Sequence, residues 1–260
     1  MAQEPTFEQL LTEGEQVPVE GWDFSWFEGR ATEERPSWGY SRLLAERMAL
    51  ASAALDIQTG GGEVLASIPT PPPVLRATEA WPPNLEIARR NLAPLGGVVE
   101  HVAVEDPLPF PDESFDLVVS RHPVVTPWRE IARVLQPGGR YLSQAVGAGS
   151  VRELTDFLMG SQPVSDARST ARAVAEAEAA GLVVVDLREE SLRMEFFDLA
   201  AVVHFLRKVP WTVPGFTVEA YRDRLADLHA AIQVRGAFVA HATRFLIEAV
   251  KPDWSRPLRD

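Results

Sequence analysis

The chain has 260 residues, 46% hydrophobic and 24% charged, a formal net charge of -12 and no cysteine. That is the size of one large globular domain, or of one domain with an added cap. The missing cysteine excludes a disulfide framework, a thiolate metal site and a cysteine nucleophile, and the acidic balance argues against a long nucleic-acid partner.

Residues 1–40 hold nine acids against Arg30 and Arg35. Residues 1–11 carry acids and no apolar run behind basic residues, so no secretory signal is expected. The segment Gly21-Trp22-Asp23-Phe24-Ser25-Trp26-Phe27 and the triplet Trp38-Gly39-Tyr40 make this leader aromatic. Such side chains bury much area, so the leader reads as an arm docked on a core or as a lid over a substrate. Residues 41–52, rich in Leu, Ala, Glu and Arg, predict a helix.

The next stretch is Ala53-Ala54-Leu55-Asp56-Ile57-Gln58-Thr59-Gly60-Gly61-Gly62-Glu63. A short apolar run predicts a buried strand ending in an acid. Three glycines then make a tight turn into a helix over 63–68. Glycine permits positive φ and close approach of a ligand to the main chain, and the following helix N-terminus presents free N–H groups. This predicts a nucleotide-type site at the carboxyl end of a first parallel strand. The dinucleotide fingerprint G-x-G-x-x-G is absent. The ligand-free alternative is a plain strand–turn–helix junction.

Four prolines between 69 and 73 end the helix. Residues 74–79 predict strand two, ending at Glu79, which lies 19 residues beyond Gly60. An acid at about that distance accepts hydrogen bonds from ribose hydroxyls in nucleotide sites; the alternative is a surface glutamate. Ala80 and Trp81 follow, with Trp81 placed to pack on an adenine face. Pro82-Pro83 suits a helix start, Gly96-Gly97 its stop, and 98–104 predicts strand three.

The order Asp56, Gly60, Gly62 resembles the first motif of class I S-adenosylmethionine (SAM)-dependent methyltransferases, with Gln58 standing where that family has glycine. If position 58 needs positive φ, a side chain there costs on the order of 1 kcal/mol. The run Glu105-Asp106-Pro107-Leu108-Pro109-Phe110, a short acidic loop and Phe115-Asp116-Leu117-Val118-Val119-Ser120 resemble the third and fourth motifs of the type-11 methyltransferase group. Leu135-Gln136-Pro137-Gly138-Gly139 is similar to its turn before strand five, predicted over 141–146 after a helix over 128–135. Together with the leader and Arg121-His122, these motifs look like a bacterial branch of that group. The resemblance implies a Rossmann-like α/β fold with seven strands, mostly parallel, the last antiparallel over 239–249. It implies SAM as cofactor, held by Asp56, Thr59, Gly60, Gly61, Gly62, Glu79, Ala80 and Trp81. It also implies Val104, Glu105 and Asp106 around the adenine, and Ser120, Arg121 and His122 at the mouth.

Beyond these motifs, 166–180 predicts an Ala-rich helix and 183–187 strand six. Asp198 suits the cap of a helix with Leu199, Val202, Val203 and Leu206 on one face. Thr217 suits the cap of another, with Tyr221, Leu225, Leu228 and Ile232 aligned. The expected organisation is a leader over 1–40 and a methyltransferase domain over 41–260, with a helical insert at about 198–235.

Methyl transfer needs alignment more than a catalytic signature, and a base only where the acceptor loses a proton. His122 is the candidate base, against a structural histidine. Arg121 anchors an acidic substrate or pairs with Glu130. Trp22, Trp26, Trp38, Tyr40 and Trp211 are candidate walls of a substrate pocket, with leader and insert meeting as a lid. No metal site is expected. The acceptor is expected to be a small molecule and not nucleic acid; the rivals are an RNA methyltransferase and a SAM-binding protein without catalysis. No apolar run reaches membrane-spanning length, so a cytoplasmic monomer or homodimer is the expectation.

Overall fold

A computed structural model of the chain describes residues 5–20 and 24–253. In chain order the elements are α1 (Phe7–Gln16), β1 (Ala31–Glu33), α2 (Tyr40–Leu50), β2 (Ala53–Asp56), α3 (Glu63–Ala66), β3 (Val74–Glu79), α4 (Pro82–Leu92) and β4 (Val98–His101). They continue as β5 (Phe115–Arg121), α5 (Trp128–Val134), β6 (Leu135–Val146), α6 (Arg152–Met159), α7 (Thr170–Ala179), β7 (Val183–Phe196), α8 (Leu199–Lys208), α9 (Arg222–Arg235) and β8 (Phe238–Val250).

The strands form one sheet in the order β1-β7-β8-β6-β5-β2-β3-β4. Strands β2 to β6 pair in parallel, and β8 runs antiparallel to β6, as expected for the Rossmann-like methyltransferase fold. The departure is an eighth strand. Ala31–Glu33 of the leader pairs antiparallel with Met194, Glu195 and Phe196. Three residues with no alternation give no strand signal in the sequence. Strand six also runs on from 187 to Phe196, because its second half is the partner of that leader strand. Strand three, β4, is shorter than the predicted 98–104, and β6 begins at Leu135, with the Pro-Gly-Gly turn taken up as a register shift against β5.

The chain divides into two compact units. The second comprises residues 36–148, 166–190 and 244–260. Its sheet carries an apolar layer on each face. One layer joins Ala54, Ala77, Leu117, Val119, Leu142 and Leu246 to Trp38, Leu44 and Met48 of the α2 region and to Leu85 and Leu92 of α4. The other joins Leu55, Val118, Tyr141, Phe245 and Ile247 to Ile131 of α5 and Ala177 of α7. Adjacent strand residues alternate between the layers, as the period of two requires.

The first unit comprises residues 1–35, 149–165 and 191–243, with its own core. It gathers the leader and the insert. Helix α1 was not legible in a leader read as polar. It is closed by a capping box: Thr6 Oγ1 accepts from Gln9 N and the Gln9 side chain accepts from Thr6 N. It packs on α8 at Gly14, where an added Cβ would lie 2.7 Å from Ala200 O and from Val203 Cβ. Arg207 Nη1 donates to Gly14 O and Val17 O, each at 2.8 Å. Asp198 caps α8 as expected, its Oδ1 accepting from Ala201 N at 2.8 Å. Thr217 caps a turn at Ala220 instead, and α9 starts at Arg222. Among the described residues no helix is long and apolar enough to cross a membrane.

Candidate cofactor site

The parallel strands β2 and β3 end side by side, Asp56 pairing with Ala77 in register. This puts two acids at neighbouring strand ends. Asp56 is 8% and Glu79 7% exposed. Glu79 Oε2 accepts from Gly60 N at 2.8 Å and Oε1 from Trp81 N at 2.9 Å, so one carboxylate ties the glycine turn to the start of α4. Thr59 Oγ1 donates to Asp56 Oδ2 at 2.6 Å, and Asn91 Nδ2 holds the turn from below through Gly61 O at 2.8 Å. Gly60 and Gly62 have φ of +64° and +74°, the left-handed region that favours glycine.

The electrostatics follow from burial. Desolvation pushes the Asp56 carboxyl up to about 7; Thr59 opposes this, Glu79 adds to it and Arg121 opposes it. Desolvation also raises Glu79, against the backbone N–H groups that it accepts from. Two buried acids at the tips of β2 and β3, beside a backbone cradle, suit a ligand that carries hydroxyls and positive charge.

Gln58 does sit at positive φ, +57°. Its amide closes the turn against the loop after β5: Val124 N donates to Oε1 at 2.7 Å, and Nε2 donates to Val125 O at 2.6 Å. His122, on that loop, also has positive φ, +54°. Its Nε2 lies 3.1 Å from Gln144 Nε2, while Gln144 Oε1 accepts from Trp38 Nε1 at 2.8 Å. Because Trp38 can only donate, Gln144 turns its NH2 to the ring. Nε2 therefore accepts and Nδ1 carries the proton. Burial first, then Arg121, Arg244 and Arg168, hold the imidazole well below its ordinary pKa. The ring is neutral near pH 7, with Nε2 already engaged.

The remaining sequence-predicted residues are distributed as follows. Ser120 is buried, with Oγ 2.7 Å from Tyr141 Oη and 2.9 Å from Ser143 Oγ. Tyr40 Oη donates to Ser120 O at 2.9 Å, and Tyr40 and Trp38 are both core residues of the second unit. Trp81 is exposed, Ala80 O meets His101 Nε2 at 2.9 Å, and Val104, Glu105 and Asp106 form a turn past β4 closed by Asp106 N to Ala103 O. Glu130 pairs with Arg133 at 2.7 Å, leaving Arg121 exposed beside His122. Trp26 and Trp211 belong to the first unit, where Trp26 meets the His204 ring edge-on at 5.0 Å. Trp22 lies outside the described residues. Gln144, Asn91, Arg168 and Arg244 escaped the sequence reading. Only Gln144, a polar residue two places beyond a core leucine of a buried strand, left a signal. Among the described residues no group of three His, Asp or Glu side chains could hold a metal ion.

Residues 55–143 match a family described as a methyltransferase domain. Solved structures share the fold. The YcgJ protein from Bacillus subtilis is 20% identical, covers 82% of this chain and 97% of its own, and has a TM-score of 0.58. A candidate methyltransferase from Bacillus halodurans is 20% identical, covers 82% of this chain and 98% of its own, with a TM-score of 0.55. The [4+2]-cyclase SpnF is 18% identical, covers 95% of this chain and 97% of its own, at 0.53. No curated protein matches the sequence. The matched segment runs from β2 into β6 and carries the strand-tip acids. Over these residues the chain carries a methyltransferase domain.

Proposed function

We propose that the chain binds SAM across the tips of β2, β3 and β4 and methylates a small molecule. The carrying observation is the Glu79 carboxylate, buried at the tip of β3 and bonded to Gly60 N and Trp81 N. A carboxylate offers about four acceptor positions, more than its backbone partners use, and the ribose hydroxyls would take the rest. Gly60, Gly61 and Gly62 would lie against the methionine part, Asp56 would face its positive charge, and Trp81 with Val104, Glu105 and Asp106 would border the adenine. The bound cofactor supplies an electrophilic methyl group. The protein's part is then to fix the acceptor in line with it and exclude water.

His122 acts here as a positioning group and not as a base at neutral pH. Its Nε2 is held by Gln144, and its Nδ1–H can donate to an acceptor. An acidic chain, -12 overall, favours a small acceptor over RNA, and salt-sensitive binding to bulk RNA would contradict that. Calorimetry with S-adenosylhomocysteine tests the cofactor reading. Glu79→Ala should weaken binding at least tenfold, the equivalent of about 1.4 kcal/mol, whereas equal affinity would remove Glu79 from the site.

A further inference from the structure

The triplet Trp38-Gly39-Tyr40 buries both of its rings, Trp38 at 2% and Tyr40 at 6% exposed. Each ring ends in one polar atom, and both atoms support the segment that carries His122. Tyr40 Oη donates to the backbone O of Ser120 at 2.9 Å, and Trp38 Nε1 donates to Gln144 Oε1 at 2.8 Å. Gln144, itself buried, holds His122 twice. Its backbone O accepts from His122 N at 2.7 Å, and its Nε2 lies 3.1 Å from the ring's Nε2. A line of three side chains thus runs from the core to the imidazole. Further along the same loop, Gln58 accepts from Val124 N and donates to Val125 O. Gln58 and His122 both sit at positive φ, +57° and +54°, and such backbone persists where its surroundings over-determine it.

An indole N–H can only donate, so Gln144 Oε1 is taken by Trp38 and only the NH2 end is left for the histidine. The ring's Nδ1 has no hydrogen-bond partner among the described residues. Nor is it sealed in: among the described residues, the fully buried side-chain atoms without a partner are on His204 and His229. The one polar ring atom left for a ligand is therefore an N–H. We infer that Trp38 and Gln144 are positioning residues for methyl transfer: they hold His122 as a hydrogen-bond donor, so that the acceptor brings a lone-pair oxygen, carbonyl or carboxylate, to its Nδ1–H. A ring locked in this way cannot take the acceptor's proton, because its free nitrogen already carries one. The hydrogen bond orients the acceptor, and a proton that the acceptor loses passes to water and not to His122. The methyl-transfer role rests on the cofactor reading above. Asp56 pairs with Val119 in register, and Ile57 N donates to Val119 O at 2.9 Å, which sets the end of β5 beside the glycine turn.

The ring nitrogens of His122 are read in the full-length protein near neutral pH by long-range 1H–15N NMR, their signals assigned by their loss in His122→Gln. Wild type should show Nδ1 protonated and Nε2 bare. A flipped Gln144 amide would leave the buried Trp38 Nε1 without an acceptor, a bias of roughly tenfold, so the other tautomer should stay near or below about a tenth. Trp38→Phe keeps an aromatic ring and removes the donor. The amide then loses its bias, and the second tautomer should rise to about half. Gln144→Glu places an acceptor against Nε2, which should gain a proton. Both variants should keep S-adenosylhomocysteine affinity within about twofold. Acetate, added to wild type loaded with S-adenosylhomocysteine, should move the Nδ1 resonance saturably; methylammonium, which brings no lone pair, should not. A wild-type ring protonated on Nε2 would overturn the proposal without any variant having to fold, and so would a tautomer indifferent to both substitutions. An Nδ1 that ignores acetate would reduce the line of side chains to a structural one. A tenfold loss of S-adenosylhomocysteine in Trp38→Phe would assign it to the cofactor. If the tautomers behave as expected but wild type does not bind S-adenosylhomocysteine, the cofactor reading fails by itself, and the methyl-transfer role falls with it.

Discussion

Position 58 separates two energetic terms that the glycine turn normally hides. Gln58 sits at φ +57°, where a side chain costs about 1–2 kcal/mol. Against this, its amide makes two hydrogen bonds to the backbone of Val124 and Val125. At a partly exposed site each contributes near the low end of the usual range, so about 1–2 kcal/mol together. Gln58→Ala keeps the strain and loses both bonds, and should destabilise by about 1–2 kcal/mol. Gln58→Gly loses the same bonds but relieves the strain, offset by about 0.4–1 kcal/mol of added freedom in the unfolded chain. The glycine variant should therefore be more stable than alanine by about 0.5 kcal/mol and less stable than wild type. For a chain of this length 1 kcal/mol moves Tm by about 2–4 °C, so calorimetric melts should rank wild type, Gly and Ala in that order. An alanine variant melting with wild type would show that the amide bridge contributes nothing. A glycine variant melting below alanine would show that the left-handed backbone is not strained there.

Asp56, whose carboxyl is pushed up to about 7, makes stability depend on pH. Its folded pKa exceeds the unfolded one, so the folded state binds the extra proton and stability falls as pH rises from about 4 to about 7; Asp56→Asn should flatten that part of a denaturation series. A cationic ligand favours the ionised carboxyl, so SAM affinity should rise through about pH 7 more steeply than S-adenosylhomocysteine affinity, and equal slopes would refute the placement of Asp56. Gly14→Ala drives a Cβ to 2.7 Å from Ala200 O and Val203 Cβ and should cost about 1–3 kcal/mol, read as loss of hydrogen-exchange protection in α1 and α8. Deleting residues 1–35 should abolish protection of α8 while the second unit, which keeps Trp38 and Tyr40, still binds S-adenosylhomocysteine. Unchanged α8 protection would contradict a docked arm.

The second unit was largely legible because its signals are local. Strand two ends at Glu79 as predicted, since a six-residue run bounded by proline and acid admits little else. The turn 58–62 announced itself through consecutive glycines. What stayed hidden depends on contacts distant in sequence. Gln144 and Trp38 are 106 residues apart, and nothing local in either says that one fixes the tautomer of His122. The leader was read for its aromatics, and the capping box from Thr6 to Gln9 passed as polar sequence.

The division of the chain has a consequence for how it folds during synthesis. Neither unit is a continuous segment: the chain passes between them at 35/36, 148/149, 165/166, 190/191 and 243/244. Strands β7 and β8 each give one half to either unit. Until β8 leaves the ribosome, the first unit lacks Phe238, Ala240 and Ala242 of its core and the second lacks Phe245, Leu246 and Ile247. The usual order, in which an N-terminal domain folds while the rest is still being made, is therefore closed to this protein. Its sheet is completed from the inside outward by its last strand, and contacts of such long sequence separation fold slowly. Strand β6 must wait, unpaired along one edge, for a partner made about a hundred residues later.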